Sequence, residues 1–121
     1  GIRYRVSDYR PVQIGTVQAV IYVLATIELG PGERASFLAH FKDLVPLVQN
    51  EAGCVEYVPT TDLPTEIAAQ QPQRENVVTV VEKWESLAHL QAHLVAPHMV
   101  SFRERVKSLV VGTSLQIVEP A

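Results

Sequence analysis

The spacing of hydrophobic residues changes from a strand pattern to a helix pattern near residue 86. Residues 77–84 read VVTVVEKW, a β-branched and aromatic run that predicts a half-buried strand. Ser86 then stands where an N-cap belongs, because its side-chain oxygen can accept a hydrogen bond from the first helical turn. Three leucines follow at helical spacing and predict one apolar stripe: Leu87, Leu90 and Leu94.

A proline interrupts this second helix. Pro97 disfavours helical geometry in the residue before it, so the helix is predicted to kink or restart near Ala96. Apolar residues continue at helical spacing to residue 111, and Gly112 is predicted to end the helix. Residues 113–118 are the last predicted strand.

The upstream half supplies one helix and two strands. Residues 16–29 predict a first strand whose two faces are both apolar at the centre, so each face needs a cover. A helix over residues 33–50, kinked at Pro46, and a second strand over Cys54–Thr60 follow. Residues 61–76 are a long polar connection, typical of a lid or a partner contact.

The order of these elements predicts an α+β fold of the ferredoxin-like split βαβ type. In that arrangement an antiparallel sheet carries its helices on one face. Residues 1–15 are interpreted as a polar N-terminal arm and residues 16–121 as one domain. The apolar positions on the other sheet face predict a homodimer in which two sheets stack face to face.

Composition narrows the possible functions. The 121 residues are 47% hydrophobic and 19% charged with a net charge of −3, and the absence of a basic block argues against a nucleic-acid partner. The longest apolar run, residues 17–29, is too short for a bilayer and contains polar residues, so no membrane partner is expected. The single Cys54 allows no internal disulfide, which favours a cytoplasmic location.

Three histidines lie close together in the second half of the chain. His89 and His93 are four residues apart and share a helical face, which leaves a metal site open as one interpretation. No carboxylate or cysteine completes a metal motif, so a solvated role for His89 is favoured. His93 is equally compatible with the edge of a pocket and with a structural role, and His98 with stabilising the kink at the proline.

Three motifs together resemble a known family. Pro31-Gly32, EAGCVEY at residues 51–57 and KWESLAHLQAHLVAPHM at residues 83–99 resemble the antibiotic biosynthesis monooxygenase domain, in its quinol monooxygenase branch. The resemblance implies a dimeric α+β barrel of ferredoxin-like protomers with a pocket between sheet and helices. It also implies oxidation of hydroquinone or polyphenol substrates by O₂ without flavin, haem or metal.

A reaction without a cofactor requires a base that makes the substrate an electron-rich anion. Histidine is the natural base near neutral pH, and we expect His93 to be the catalytic residue, with His98 as the second candidate. For Trp84 and Phe41 an ordinary place in the core is the favoured alternative. Four aromatic residues are the candidate substrate-binding positions: Trp84, Tyr57, Phe41 and Tyr22.

Two other functions compete with this one. Haem-degrading relatives use an Asn on the first strand, a Trp, and a haem-ligating His on the second helix. Trp84 matches the Trp, but the first strand has no Asn and residues 102–104 stand about where the His would be, so haem degradation is disfavoured. A non-catalytic dimeric protein that binds a small ligand or regulates through the same scaffold remains the alternative.

Overall fold

The structure, a computed structural model, describes residues 20–121. The predicted arm at residues 1–15 and the beginning of the first predicted strand, residues 16–19, lie outside the described residues. The elements follow one another as β1 (Ile21–Leu29), α1 (Arg34–Gln49), β2 (Cys54–Thr60), β3 (Val77–Trp84), α2 (Leu87–Leu94), α3 (Pro97–Val106) and β4 (Val110–Val118). This is the predicted order, with the second helix divided into two.

The four strands form one antiparallel sheet in the order β2-β3-β1-β4. β1 is a central strand and pairs with β3 on one side and β4 on the other. Each helical connection joins two strands that are not neighbours in the sheet, β1 to β2 through α1 and β3 to β4 through α2 and α3, which is the split βαβ arrangement. The ferredoxin-like α+β prediction is therefore confirmed.

The core lies between one face of the sheet and the helices. Every second residue of β1 is buried, as expected for a strand with one covered face. From the helical side, α1 contributes its own buried stripe at helical spacing. The buried stripe of α1 comprises Phe37, Phe41, Leu44 and Val48.

The break in the second helix is confirmed, but its end is not where the sequence predicted. Ala96 is extended and Pro97 occupies the first turn of α3, where its missing N–H costs nothing. The helix ends at Val106, and Gly112 lies within β4, which already begins at Val110. The β-branched residues before Gly112 are drawn into pairing with β1, a tertiary contact that overrides the local helical spacing.

Two side chains point differently from the prediction. The alternation of a regular strand predicts that Val55 shares a face with Tyr57, but the pairing shifts register between Cys54 and Glu56, and Val55 is exposed. Leu87 is also exposed. The inner face of α2 is centred between its buried residues Leu90 and His93, so Leu87 lies at the border of that face.

The connection over residues 61–76 has no helix or strand and is held by its own contacts. Arg74 forms an ion pair with Asp62 at 2.8 Å across the base of the loop. The amide of Gln70 donates to the carbonyl of Leu63 at 2.7 Å.

Among residues 20–121, no helix is long and apolar enough to cross a membrane.

Candidate active site

β3 brings a tryptophan and a carboxylate to the covered face of the sheet. Its side chains alternate, so Val78, Val80, Glu82 and Trp84 all face the helices and are buried. Glu82 is only 5% exposed. The indole Nε1 of Trp84 donates a hydrogen bond of 3.0 Å to Oε1 of Glu82. This strand therefore carries an ionisable group into the apolar core.

The start of α2 orients the histidines. The Ser86 hydroxyl oxygen accepts from the backbone N–H of His89 at 3.2 Å, which confirms the predicted N-cap. The same oxygen lies 2.8 Å from Nδ1 of the His89 ring. With its start fixed in this way, α2 directs His93 inward, where it is 2% exposed and packs against Trp84 with a ring-centroid distance of 4.7 Å.

One carboxylate joins two of the three histidines. Nδ1 of His93 lies 3.0 Å from Oε2 and 3.1 Å from Oε1 of Glu51, which follows α1. Nε2 of His98 lies 2.5 Å from the same Oε2. Because α3 begins at Pro97, His98 lies in its first turn, next to this carboxylate. Because an ionised carboxylate only accepts hydrogen bonds, Glu51 fixes the proton of His93 on Nδ1 and leaves Nε2 as the basic nitrogen.

A cavity of about 400 Å³ lies between the sheet and the helices. Most of its wall is apolar, and two aromatic rings stack within it, Phe41 on Tyr57 at a centroid distance of 5.5 Å and an angle of 13°. Tyr57 in turn meets the ring of His93 edge to face at 5.4 Å. Four of the lining side chains are acidic or basic: Glu82, His93, Arg103 and Lys107.

Burial determines the ionisation of Glu82 and His93. Loss of solvation raises the pKa of Glu82 to about 7, with a smaller contribution from the Glu51 charge, while the hydrogen bond from Trp84 acts in the opposite direction. Burial lowers the pKa of His93 below its usual 6.5, and the hydrogen bond and charge of Glu51 partly restore it. Near neutral pH His93 is therefore a free base, and Glu82 carries a proton in a substantial fraction of molecules.

The predicted site residues do not all reach this cavity. His93, Tyr57 and Phe41 line it together. Trp84 is fully buried in contact with Glu82 and His93, but it is absent from the lining. His98 is 26% exposed and reaches the site only through Glu51.

Tyr22 lies on the opposite sheet face, away from the cavity. It alternates with the buried positions of β1, and Nζ of Lys83 sits 5.4 Å from its ring centroid. Its predicted role in substrate binding finds no support in this cavity.

Glu82 and Glu51 were missed by the sequence analysis. The period of two in VVTVVEKW places Glu82 on the same face as Trp84, so a signal for Glu82 was present. Glu51 lies 42 residues from His93 along the chain, and no local pattern marks their contact.

The metal interpretation of His89 and His93 is not supported by the geometry. Nδ1 of His89 is turned to Ser86, whereas Nδ1 of His93 is turned to Glu51. Within residues 20–121, no three His, Cys, Asp or Glu side chains are grouped so that they could hold a metal ion. What the cavity offers is a neutral imidazole and a carboxyl group on an apolar, aromatic wall, an arrangement suited to proton transfer with a flat organic molecule.

Comparison with known proteins identifies relatives that share this fold. The family model described as "Antibiotic biosynthesis monooxygenase" matches residues 20–105. An Escherichia coli K12 protein named "Probable quinol monooxygenase YgiN" is 37% identical over 103 residues, which cover 84% of this chain and 98% of that protein. The crystal structure of PA3566 from Pseudomonas aeruginosa is similar at a TM-score of 0.72 and 20% identity, covering 88% of this chain and 99% of that one. A conserved protein from Methanosarcina mazei Go1 has a TM-score of 0.72 at 19% identity, covering 87% and 96%.

Proposed function

We propose that this chain oxidises hydroquinone-type aromatic substrates with O₂ and needs no cofactor. The chain belongs to the antibiotic biosynthesis monooxygenase family and is a monooxygenase. The observation that carries the proposal is His93, a buried neutral base held by Glu51 on the wall of an apolar, aromatic cavity. The relative in Escherichia coli is named for activity on quinols, which supports the same substrate class. The single cysteine agrees with the cytoplasmic location that we also propose.

The cavity suits a flat aromatic molecule. Its volume of about 400 Å³ falls within the range of small-molecule sites. The stacked pair of Phe41 and Tyr57 gives one flat wall, on which an aromatic ring can pack. A one- or two-ring quinol would bury its apolar edge here and present a hydroxyl group to His93.

His93 supplies the base that reaction with O₂ requires. O₂ accepts single electrons readily only from an electron-rich donor, so the quinol must first lose a proton. A phenol with a pKa of about 10 loses it at pH 7 at a cost of roughly 4 kcal/mol. His93 takes this proton at Nε2, and the Glu51 carboxylate stabilises the imidazolium that forms. The guanidinium of Arg103, also in the cavity lining, adds positive charge that favours the phenolate.

The remaining steps consume no reagent other than the substrate and O₂. The quinolate transfers one electron to O₂, and the two radicals combine at the ring carbon next to the phenolate carbon, giving a peroxide. The imidazolium of His93 returns its proton to this peroxide. Loss of water from the resulting ring hydroperoxide gives a hydroxyquinone, so one hydroquinone and one O₂ yield one hydroxyquinone and one water.

Oxygen uptake with freshly reduced naphthohydroquinones and catechols, in the presence of a chelator, tests the proposal. We expect enzyme-dependent uptake above autoxidation, and one atom of isotopically labelled O₂ in the hydroxyquinone product. His93→Gln should lose this uptake while remaining folded. Failure of the wild-type protein to consume O₂ with any of these substrates would contradict the proposal and favour a binding or regulatory protein on the same scaffold.

The outer face of the sheet supports a second proposal, that the protein is a homodimer through this face. Leu24 of β1 is 42% exposed and Val58 of β2 is 45% exposed, although both lie within strands of the sheet. Apolar side chains on a sheet face opposite the helices are typical of an interface. Light scattering at micromolar concentration should give the mass of a dimer, and Leu24→Lys should lower it. A wild-type monomer would contradict this proposal.

A further inference from the structure

One buried ionisable group on the cavity wall has no task in the reaction described above. Glu82 is 5% exposed and lines the cavity. Trp84 donates to its Oε1 at 3.0 Å, and residues 20–121 supply no hydrogen bond to its Oε2. A carboxyl group so far from water, with one partner, is costly unless it is protonated or meets a ligand. Its place on the wall leaves the second oxygen available to a molecule in the cavity.

The surroundings of this carboxyl group favour its protonated form more than water does. Tyr57 faces it across the β2–β3 ladder, and β1 brings only Val23 to the paired position. From the helical side the cavity lining brings His93 of α2, Arg103 of α3 and Lys107 just after α3. The negative charge of Glu51 disfavours ionisation of Glu82. With a pKa of about 7, about half of the molecules carry this proton at neutral pH, and most carry it at lower pH.

We propose that Glu82 is the second proton-transfer residue of the cavity, and that it donates the proton with which water leaves the ring hydroperoxide. This role rests on the proposed monooxygenase function. As His93 removes the hydrogen on the peroxide-bearing carbon, the C–H electron pair becomes the second C–O bond. The O–O bond breaks, and the departing oxygen takes the proton of Glu82 and leaves as water. The proton now on His93 then returns to the Glu82 carboxylate, which restores both residues.

The need for an acid follows from a competing reaction. The same hydroperoxide can expel its peroxide group when the other ring hydroxyl loses its proton, and the products are then the quinone and H₂O₂. Both routes consume one O₂ per hydroquinone, so oxygen uptake alone does not distinguish them. A proton delivered to the outer peroxide oxygen makes hydroxide a better leaving group and favours O–O cleavage. Glu82 would therefore determine whether the enzyme is an oxygenase or an oxidase.

The test is the product ratio of Glu82→Gln with naphthohydroquinone. Glutamine has the shape of glutamate and keeps an oxygen that can accept the hydrogen bond from Trp84, but it has no acidic proton. We expect oxygen uptake within about tenfold of wild type, whereas the ratio of hydroxynaphthoquinone to H₂O₂ falls by about 100-fold, the lower range for loss of a general acid. Glu85→Gln, an exposed carboxylate just after β3, is the matched control and should keep the wild-type ratio.

The outcomes separate this proposal from the one on which it rests. No uptake by wild type contradicts the proposed function itself. Uptake by wild type with an unchanged product ratio in Glu82→Gln overturns the role of Glu82. Loss of all uptake in a folded Glu82→Gln also overturns it, because the carboxyl group would then act before O₂ is bound.

A measurement on the wild-type protein does not depend on the variant folding. The hydroxyquinone fraction should fall as the pH rises through about 7, where Glu82 loses its proton. A fraction that stays constant from about pH 6 to pH 8.5 would overturn the proposal.

Discussion

Replacement of Glu82 by glutamine should make the protein more stable at alkaline pH and should remove part of the pH dependence of its stability. The group is almost fully buried, and its pKa rises from 4.5 to about 7 on folding, mainly because burial disfavours the charged form. In the unfolded chain it titrates near 4.5, so between these two values the folded state binds more protons than the unfolded state. The contribution of Glu82 to stability is therefore complete below about pH 4.5 and is lost as the pH rises through about 7.

The size of this loss follows from the two pKa values. The difference between 4.5 and about 7, at about 1.4 kcal/mol per pKa unit, corresponds to about 3 kcal/mol. This value is a large part of the total stability of an ordinary domain. Glutamine has no charged form, so the free energy of unfolding of Glu82→Gln should rise relative to wild type between about pH 5 and pH 8.5, by about 3 kcal/mol.

Urea denaturation at a series of pH values measures this difference directly. Wild type, Glu82→Gln and the control Glu85→Gln are compared at one protein concentration, because a dimer would make the apparent stability concentration-dependent. The difference between wild type and Glu82→Gln isolates the carboxyl group from other titrations. His93 is one of these, since its lowered pKa makes stability fall as the pH drops below 6.5.

Parallel stability curves for wild type and Glu82→Gln would refute this reasoning. They would mean that the Glu82 carboxyl group is solvated well enough to ionise in the folded protein as it does in the unfolded one. A difference that grows toward acidic pH would refute it as well, because it would require a pKa below 4.5. The outcome does not depend on whether the protein turns over any substrate.

Three further substitutions test the site and its support. His93→Gln should lower kcat by about 100-fold or more while the melting temperature stays near wild type, and an active variant would make His98 the candidate base. Glu51→Gln removes the hydrogen bond and the charge that raise the pKa of His93, so the acidic limb of the kcat/KM pH profile should move to lower pH. A limb that does not move would show that Glu51 does not influence the pKa of the catalytic base. Gly53→Ala should cost more than about 1 kcal/mol in urea denaturation, because Gly53 has φ of 81° and a Cβ there would lie 2.2 Å from Cγ of His89. The cost should shrink in a His89→Gly background, because the Cβ of His89 also crowds the new methyl group and is then removed together with the ring. An equal cost in the two backgrounds would exclude the steric contact.

The local pattern was sufficient to predict the elements and their order. β-branched alternation defined β3, a serine defined the start of α2, and Pro97 defined the start of α3. These signals act within one turn or one strand, so a single sequence contains them in full. The end of α3 was misjudged because Val110 is drawn into a strand by its pairing with β1, a contact that helical spacing does not contain.

The chemistry of the site was less predictable than the fold. His93 was identified from its residue type and from the resemblance to the family, but its orientation depends on Glu51, which reaches it from another element. Tyr22 shows the limit of residue type as a guide, since an aromatic residue on β1 has equal chances of either sheet face until the covered face is known. The ionisation of Glu82 was the property least predictable from the sequence, because its pKa depends on how completely other elements cover β3.

The energetic position of Glu82 argues for a functional role rather than a structural one. A carboxyl group that only satisfied the indole N–H of Trp84 would be replaced by glutamine at no loss, because glutamine offers the same acceptor and never ionises. Near and above neutral pH the glutamate costs about 3 kcal/mol that glutamine would avoid. Groups that break a local rule in this way without a compensating contact are typical of functional sites. The one property that glutamate has and glutamine lacks is an exchangeable acidic proton, held here beside a neutral imidazole on the wall of an aromatic cavity.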